Sequence, residues 1–170
     1  DPNETTAAYV QNLIQAVQVE AFVSPGESSS QSLQAEAATA SASSELNALF
    51  PDDSQRISFG TAGLRAAMKP GPTGMNDLVV LQTAQGLARY CLQQQPPQQQ
   101  QQQRQKPSVV VGYDHRSNTA MQLSSLSFAL LTALVFIEAG FDCFLLDGFV
   151  ATPLVPYTLS QLSNCAAGIM

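Results

Sequence analysis

Ser108-Val109-Val110-Val111-Gly112-Tyr113-Asp114-His115-Arg116 is a β-branched run that ends in three ionisable side chains. Three consecutive valines leave no polar face. The run therefore predicts a strand buried on both sides, as in a parallel sheet covered by helices. It delivers Asp114, His115 and Arg116 into the loop at its C-terminal end, where open α/β sheets place ligands. Downstream, residues 119–137 carry no charge and sit between two strand signals at the spacing of a crossover helix. A membrane span is the competing reading of that segment. Its Ser, Thr and Gln residues, and Glu138 at its close, favour a helix packed on a sheet.

The alternation continues. Gly140 predicts the end of that helix. Residues 141–147 read as the next strand, with the core run Cys143-Phe144-Leu145-Leu146. Gly148-Phe149-Val150-Ala151 reads as a loop. Thr152-Pro153 predicts an N-cap with Pro at the first helical position, opening a short helix over 154–162. Residues 165–170 form the following strand. The order strand, helix, strand, helix, strand predicts right-handed crossovers and a mainly parallel sheet, hence an α/β fold.

Upstream, Met75-Asn76-Asp77 predicts a helix start with Asn76 or Asp77 as cap. Leu78, Val79, Leu81, Ala84, Leu87, Ala88 and Cys91 then recur at helical spacing. Gly86 inside that pattern costs about 1 kcal/mol against Ala and is expected to allow close packing. Residues 93–105 are dominated by Gln. They read as an expanded surface loop, with a self-association tract as the alternative. Near the N-terminus, Tyr9, Val10, Leu13, Ile14, Val17 and Phe22 mark an amphipathic helix over 5–22, with Gln11, Gln15 and Gln18 opposite. The Ser/Ala-rich stretch 24–44 has almost no large apolar residue beyond Leu33 and reads as a flexible insert. Its alanines leave room for a transient helix. Residues 45–50 predict a helical turn stopped by Pro51.

Between these parts lies Phe59-Gly60-Thr61-Ala62-Gly63-Leu64-Arg65. Arg56-Ile57-Ser58-Phe59 reads as a short strand running into it. Gly60 and Gly63 bracket the Thr61 hydroxyl, and glycine lets backbone N–H groups approach a ligand closely. Arg65 adds a planar fork of donors suited to phosphate. The loop is a candidate phosphate cradle, with a plain turn as the alternative. Pro70, Gly71, Pro72 and Gly74 make residues 66–74 a loop. For Arg65 the bland alternative is a surface salt bridge. For Asp114-His115-Arg116 it is an Asp turn with the His and Arg in water, Asp114 pairing with Arg116. Thr152 is read first as a helix cap. His115 alone is too little to assign a general base. No Ser stands beside a base as a nucleophile.

The 170 residues suffice for one domain with a real core. The chain is 45% hydrophobic with a net charge of −6. Without a polybasic surface, nucleic acid and anionic membrane are not expected partners. Cys91, Cys143 and Cys165 are widely spaced and form no CxxC pair. They read as buried thiols of a reducing compartment, which points to the cytoplasm and away from a zinc site. No basic segment followed by an apolar run marks a signal peptide. Both ends of the chain read as cut. It opens on Asp1-Pro2, and it stops at Met170 inside a predicted core strand. That edge is expected to make the isolated chain poorly soluble.

Taken together, Phe59-Gly60-Thr61-Ala62-Gly63-Leu64-Arg65-Ala66-Ala67-Met68, Met75-Asn76-Asp77-Leu78, Gln82-Thr83-Ala84-Gln85-Gly86, Gly112-Tyr113-Asp114-His115-Arg116 and Ala151-Thr152-Pro153-Leu154-Val155-Pro156 resemble the α-D-phosphohexomutase superfamily. Within it they resemble the phosphoglucomutase/phosphopentomutase branch, to which Ala66-Ala67-Met68 is similar. The resemblance is strong over residues 46–170 outside the Gln tract, and weak over 1–13. It implies a three-layer α/β/α first domain of a four-domain enzyme, with a mainly parallel mixed sheet and disordered Ser/Ala-rich and Gln-rich inserts. On that reading residues 1–23 are an N-terminal helical segment and 24–44 a flexible insert. Residues 45–170 are domain I, interrupted by the Gln loop 93–106 and truncated at 170.

The implied activity is an intramolecular phosphoryl transfer. Sugar 1-phosphates interconvert with 6-phosphates, or pentose 1- with 5-phosphates, through a phosphoserine and a sugar bisphosphate, with Mg²⁺ assisting. Charge on the transferring phosphoryl group must be met by fixed cations and N–H donors. The resemblance makes Arg65 the residue that contacts the bisphosphate and the phosphoserine region. Thr61 and Gly63 shape its loop, and Arg116, with His115, is a second phosphate contact. The phosphoserine loop of the family, Thr-Ala-Ser-His-Asn-Pro, is expected directly after Met170, and the Mg²⁺ ligands beyond it. No catalytic or metal-binding residue is therefore expected in these residues, and the 170-residue chain alone is expected to be inactive. The expected partners are the phosphosugar substrate and the remaining mutase domains. The alternative is a non-catalytic paralogue that binds a sugar phosphate or a protein partner.

Overall fold

A computed structural model describes residues 2–19, 29–51, 56–61, 63–94 and 106–170. The chain divides into two units, Asp1–Asn76 and Asp77–Met170.

The first unit is built on two helices. α1 (Glu4–Val19) starts where the Asn3 Oδ1 accepts the N–H groups of Thr5 (3.0 Å) and Thr6 (3.1 Å). These are donors that a helix N-terminus otherwise leaves open. Gln11, Gln15 and Gln18 face solvent as the spacing predicts. α2 (Ser29–Leu49) packs against α1. The sequence reading has flexible chain over 24–44, whereas residues 29–44 are helical and 24–28 lie outside the described residues. Two causes favour the helix. Alanine is the best helix former, and the small side chain of Ala42 is buried at 6% exposure. Tyr9 also donates its hydroxyl to Glu45 Oε1, and Thr39 donates to the Ala16 carbonyl. The turn expected over 45–50 is the last turn of α2, and Pro51 follows it.

The second unit holds the sheet. β1 (Ser108–Val111) is buried along its whole length. β4 (Asp142–Leu145) and β5 (Cys165–Ile169) flank it, both parallel, in the order β4-β1-β5. α3 (Asp77–Gln93) and α4 (Ser125–Glu138) pack on each other. Their Ala84, Ala88, Cys91, Ala129 and Phe136 meet Val109 and Val111 of β1, with Phe141, in one core. Side chains alternate along a strand, so Val110 and Gly112 face the other way. α5 (Leu154–Gln161) lies there: a Cβ on Gly112 or Gly168 would fall 2.8 Å from Val155. Helices on both faces of a parallel sheet make the predicted three-layer α/β/α arrangement.

Four expectations are corrected. Arg56-Ile57-Ser58-Phe59 forms no strand. Among the described residues, one N–H of the segment, that of Ile57, reaches a carbonyl, Pro72 (2.9 Å), and the prolines at 70 and 72 have no N–H to return. The helix expected over 119–137 begins only at Ser125. Before it, β2 (Ser117–Asn118) and β3 (Leu123–Ser124) pair antiparallel around a 3₁₀ turn, Thr119–Met121. The turn is held by Asn118 Oδ1, which accepts the Met121 N–H, and by Gln122 at φ 52°. Ser124 and Ser127 then form the capping box that starts α4. Gly86 does not mediate close packing, for a Cβ there would meet nothing within 4 Å. Thr152 is not the N-cap of α5. Pro153 holds that position, with no side-chain cap bond, and the Thr152 carbonyl accepts the Val155 N–H (3.3 Å).

Other boundaries agree with the sequence. α4 ends at Glu138 with Ala139 as its C-cap, and Gly140 follows at a φ of +94° that suits glycine. No helix of the described residues is long and apolar enough to cross a membrane. Residues 95–105 of the Gln tract lie outside the described residues.

Candidate functional site

Parallel strands end at one edge of their sheet, and the loops that leave them meet around Gly112. Its N–H donates to Ile169 O (2.8 Å), Leu146 N–H donates to Val111 O (2.9 Å), and Val150 N–H donates to Tyr113 O (3.0 Å). A Cβ at 112 would stand 2.8 Å from Val150 Cγ2 and Val155 Cγ2, and 3.3 Å from Met170 Sδ. Glycine is what lets the β1 loop, the β4 loop and the end of β5 converge.

Asp114 organises this edge. Its Oδ1 accepts the Ser125 hydroxyl at 2.6 Å and the Arg116 N–H at 3.1 Å, and its Oδ2 pairs with Arg116 Nε at 3.0 Å. Partial burial raises the Asp114 pKa. The Ser125 hydroxyl and Arg116 N–H bonds, with the Arg116 and His115 charges, outweigh it and hold the carboxyl below its ordinary range. Asp114 thus fixes Arg116 through both backbone and side chain, while 74% of the Arg116 side chain remains exposed. An exposed pair of this kind adds about 0–1 kcal/mol to stability, so its consequence is the orientation of the guanidinium. The Asp turn read from the sequence is present, and so is the Asp114–Arg116 pair.

His115 is exposed, with its ring edge-to-face against Phe149 at 6.4 Å. Phe149 also meets Tyr113 edge-to-face at 5.9 Å. Thr152 is exposed on the loop that enters α5. The second unit therefore gathers His115, Arg116 and Thr152 on the loops of one sheet edge.

Thr61, Gly63 and Arg65 belong to the first unit and share one exposed turn. Gly60 N–H donates to Gly63 O (3.1 Å), and Gly63 N–H to Gly60 O (3.2 Å). Gly63 has φ +87°, where a side chain is strained, so glycine is needed to make the turn. Both glycine N–H groups are spent on the turn itself. The side-chain donors the loop exposes are the Thr61 hydroxyl and the Arg65 guanidinium. Ala62 lies outside the described residues. Behind the turn, Asn76 Nδ2 donates to Lys69 O (2.9 Å) and Gly71 O (2.8 Å), bracing the loop that follows Arg65.

Among the described residues, no group of three or more His, Cys, Asp or Glu is placed to hold a metal ion. Asp114 is committed to Ser125 and Arg116. The described residues do not fit a Mg²⁺ site. Two contributors escaped the sequence reading. Ser125 is one, its only signal a serine cluster at the start of an apolar helix. Phe149 is the other, with no signal beyond a Phe after Gly148.

Residues 56–170 match the family described as "Phosphoglucomutase/phosphomannomutase, alpha/beta/alpha domain I". Among curated relatives, a "Phosphopentomutase" of Pongo abelii is 43% identical over 115 residues, covering 68% of this chain and 18% of the relative. A "Probable phosphoribomutase" of Schizosaccharomyces pombe is 44% identical over 115 residues, covering 68% and 17%. A "Glucose 1,6-bisphosphate synthase" of Mus musculus is 38% identical over 115 residues, again covering 68% and 17%. The chain thus spans under a fifth of the length of the relatives it matches. No solved structure matches it.

Proposed function

The chain belongs to the phosphoglucomutase/phosphomannomutase family, residues 56–170 being its α/β/α domain I, and from that premise we propose that it serves an intramolecular phosphotransferase. The reaction interconverts sugar 1-phosphates with 6-phosphates, or pentose 1- with 5-phosphates, through a phosphoserine and a sugar bisphosphate. The observation that carries the reading is the family match over the Gly-Thr-Ala-Gly-Leu-Arg turn and the strand-end loops together. Relatives named for pentose phosphates and one named for glucose 1,6-bisphosphate each match 115 residues of the chain. Both sugar classes therefore belong in the test.

In this reading Arg65 contacts the bisphosphate and the phosphoserine region, and Thr61 and Gly63 set the shape of its loop. Arg116, oriented by Asp114, and His115 are the second pair of phosphate contacts. Fixed cations suit the task, because the charge of a transferring phosphoryl group is stabilised most by donors that need no rearrangement. The phosphoserine is expected on a Thr-Ala-Ser-His-Asn-Pro loop following Met170, and the Mg²⁺ ligands in the enzyme's other domains, which are the partners of this one. Residues 1–23, 24–44 and 45–170 are proposed as helical segment, insert and domain I, and the compartment as the cytoplasm.

The test is an equilibrium titration of the chain with glucose 1,6-bisphosphate and with ribose 1,5-bisphosphate, beside a coupled mutase assay. Saturable binding competed by the sugar monophosphate is expected, with no turnover by residues 1–170 alone. Absence of binding to either bisphosphate would overturn the assignment of Arg65 and Arg116. Turnover above background would overturn the expected inactivity. Binding of a bisphosphate by a full-length product without turnover would favour the non-catalytic paralogue.

A further inference from the structure

We propose that Phe149 is a contact for the sugar ring of the phosphosugar, the apolar counterpart to the anion donors His115 and Arg116. The proposal rests on the mutase reading above and adds to it a residue that determines preference for a sugar over a bare phosphate.

The argument starts from exposure and rigidity together. Single exposed apolar side chains are ordinary on protein surfaces. Phe149 is exposed at 72%, yet its position is fixed. Gly148 turns the chain at φ +69°, and Val150 N–H is tied to Tyr113 O at 3.0 Å. Tyr113 and His115 each meet the Phe149 ring edge-to-face, at interplanar angles of 85° and 73°. The ring is thereby held at the C-terminal edge of β1 and β4, beside the imidazole of His115, the residue that precedes the Arg116 whose guanidinium Asp114 orients.

A sugar phosphate presents two chemistries. Its phosphate is met by Arg and His donors. Its ring carries C–H bonds whose partial positive charge suits the negative face of an aromatic ring. A site for inorganic phosphate has no use for a fixed, solvent-facing phenyl ring; a site for a phosphorylated sugar does. The aromatic contact is tolerant of ring size, so it accepts a pyranose or a furanose.

His115 is the sole histidine of the chain, so its ring protons report on this site without assignment ambiguity. The experiment compares glucose 1,6-bisphosphate with inorganic pyrophosphate on the wild-type chain, Phe149→Ala and Phe149→Tyr, reading Kd by titration and the His115 Hε1 shift by NMR. The Phe149→Ala variant is expected to weaken the bisphosphate about tenfold, the scale of one aromatic contact. Pyrophosphate should be unchanged, and Phe149→Tyr should restore sugar binding. The His115 Hε1 resonance should move on adding the bisphosphate in the wild type and Phe149→Tyr. Equal bisphosphate affinity in Phe149→Ala overturns the inference while leaving the mutase reading intact. So does equal weakening of both ligands, which marks a purely structural role. A wild-type chain that binds neither probe overturns the mutase reading, and this inference with it.

Discussion

The Ser125 hydroxyl donates to Asp114 Oδ1 at 2.6 Å, joining the first residue of α4 to the loop that leaves β1. Removing it leaves the carboxylate with the Arg116 N–H and guanidinium. Ser125→Ala is therefore expected to destabilise the chain by about 1–2 kcal/mol, the scale of a hydrogen bond to a charged group. It should also raise the Asp114 pKa, which carbonyl-detected NMR of the carboxyl resolves. An unchanged denaturation midpoint together with an unchanged Asp114 pKa would contradict the assigned role.

Acid stability follows from the same carboxylate. Its folded pKa lies below the unfolded value, so its contribution is complete above the ordinary aspartate range and is lost as pH falls through the folded pKa. The stability gap between wild type and Asp114→Asn should be constant above the ordinary aspartate range and narrow as pH falls below it, with an amplitude of about 1 kcal/mol or less because the pair is largely solvated. Urea denaturation across that window measures it. A gap that widens towards low pH would have the wrong sign.

Two glycines should respond oppositely to alanine. Gly86 sits in the middle of α3 with open space where a Cβ would go. Gly86→Ala is expected to stabilise by about 0.5–1 kcal/mol, by helix propensity and a less flexible unfolded chain. Gly71 has φ +85°, and a Cβ there would stand 2.3 Å from Leu49 O. Gly71→Ala is expected to cost about 1–3 kcal/mol through strain and a shift of backbone. Thermal midpoints of the two variants should move in opposite directions.

The thiols differ in access. Burial pushes the Cys91 pKa up, against a smaller opposing backbone hydrogen bond, and burial likewise raises Cys143. Thiolate is the nucleophile, so both should alkylate slowly near neutral pH. Cys91, buried in the core, should be the slowest of the three. In urea all three should react alike. Mass spectrometry of iodoacetamide-treated chain reads the order, and native labelling that begins at Cys91 would contradict the packing of α3.

Local chemistry explains what the sequence made legible. Val109-Val110-Val111 announces a strand because a β-branched run without a polar face is stable only when covered on both sides, as it is. Gly140 announces a helix end because its backbone conformation favours glycine. α2 was hidden because its order rests on α1, through Ala42 and the Tyr9–Glu45 bond, and a Ser/Ala-rich segment carries no apolar stripe of its own. Arg56-Ile57-Ser58-Phe59 has strand-like residues, but strands are made by partners, and among the described residues only Pro72 O receives a bond from it. At the site, Arg116 and His115 were legible as the ionisable end of a buried strand. Ser125 and Phe149 were not, because each acts through a contact across the fold, with Asp114 and with Tyr113 and His115 respectively.

The central claim is that the Gly60–Arg65 turn serves a phosphosugar through the Arg65 side chain. Titration calorimetry of glucose 1,6-bisphosphate on wild type, Arg65→Ala and Arg65→Lys tests it most directly. The account predicts that Arg65→Ala weakens binding by about tenfold to a hundredfold and that lysine restores only part of it, since a point charge cannot reproduce the planar fork. The thermal midpoint should stay unchanged, because Arg65 is exposed. Equal affinity in all three chains would contradict the account.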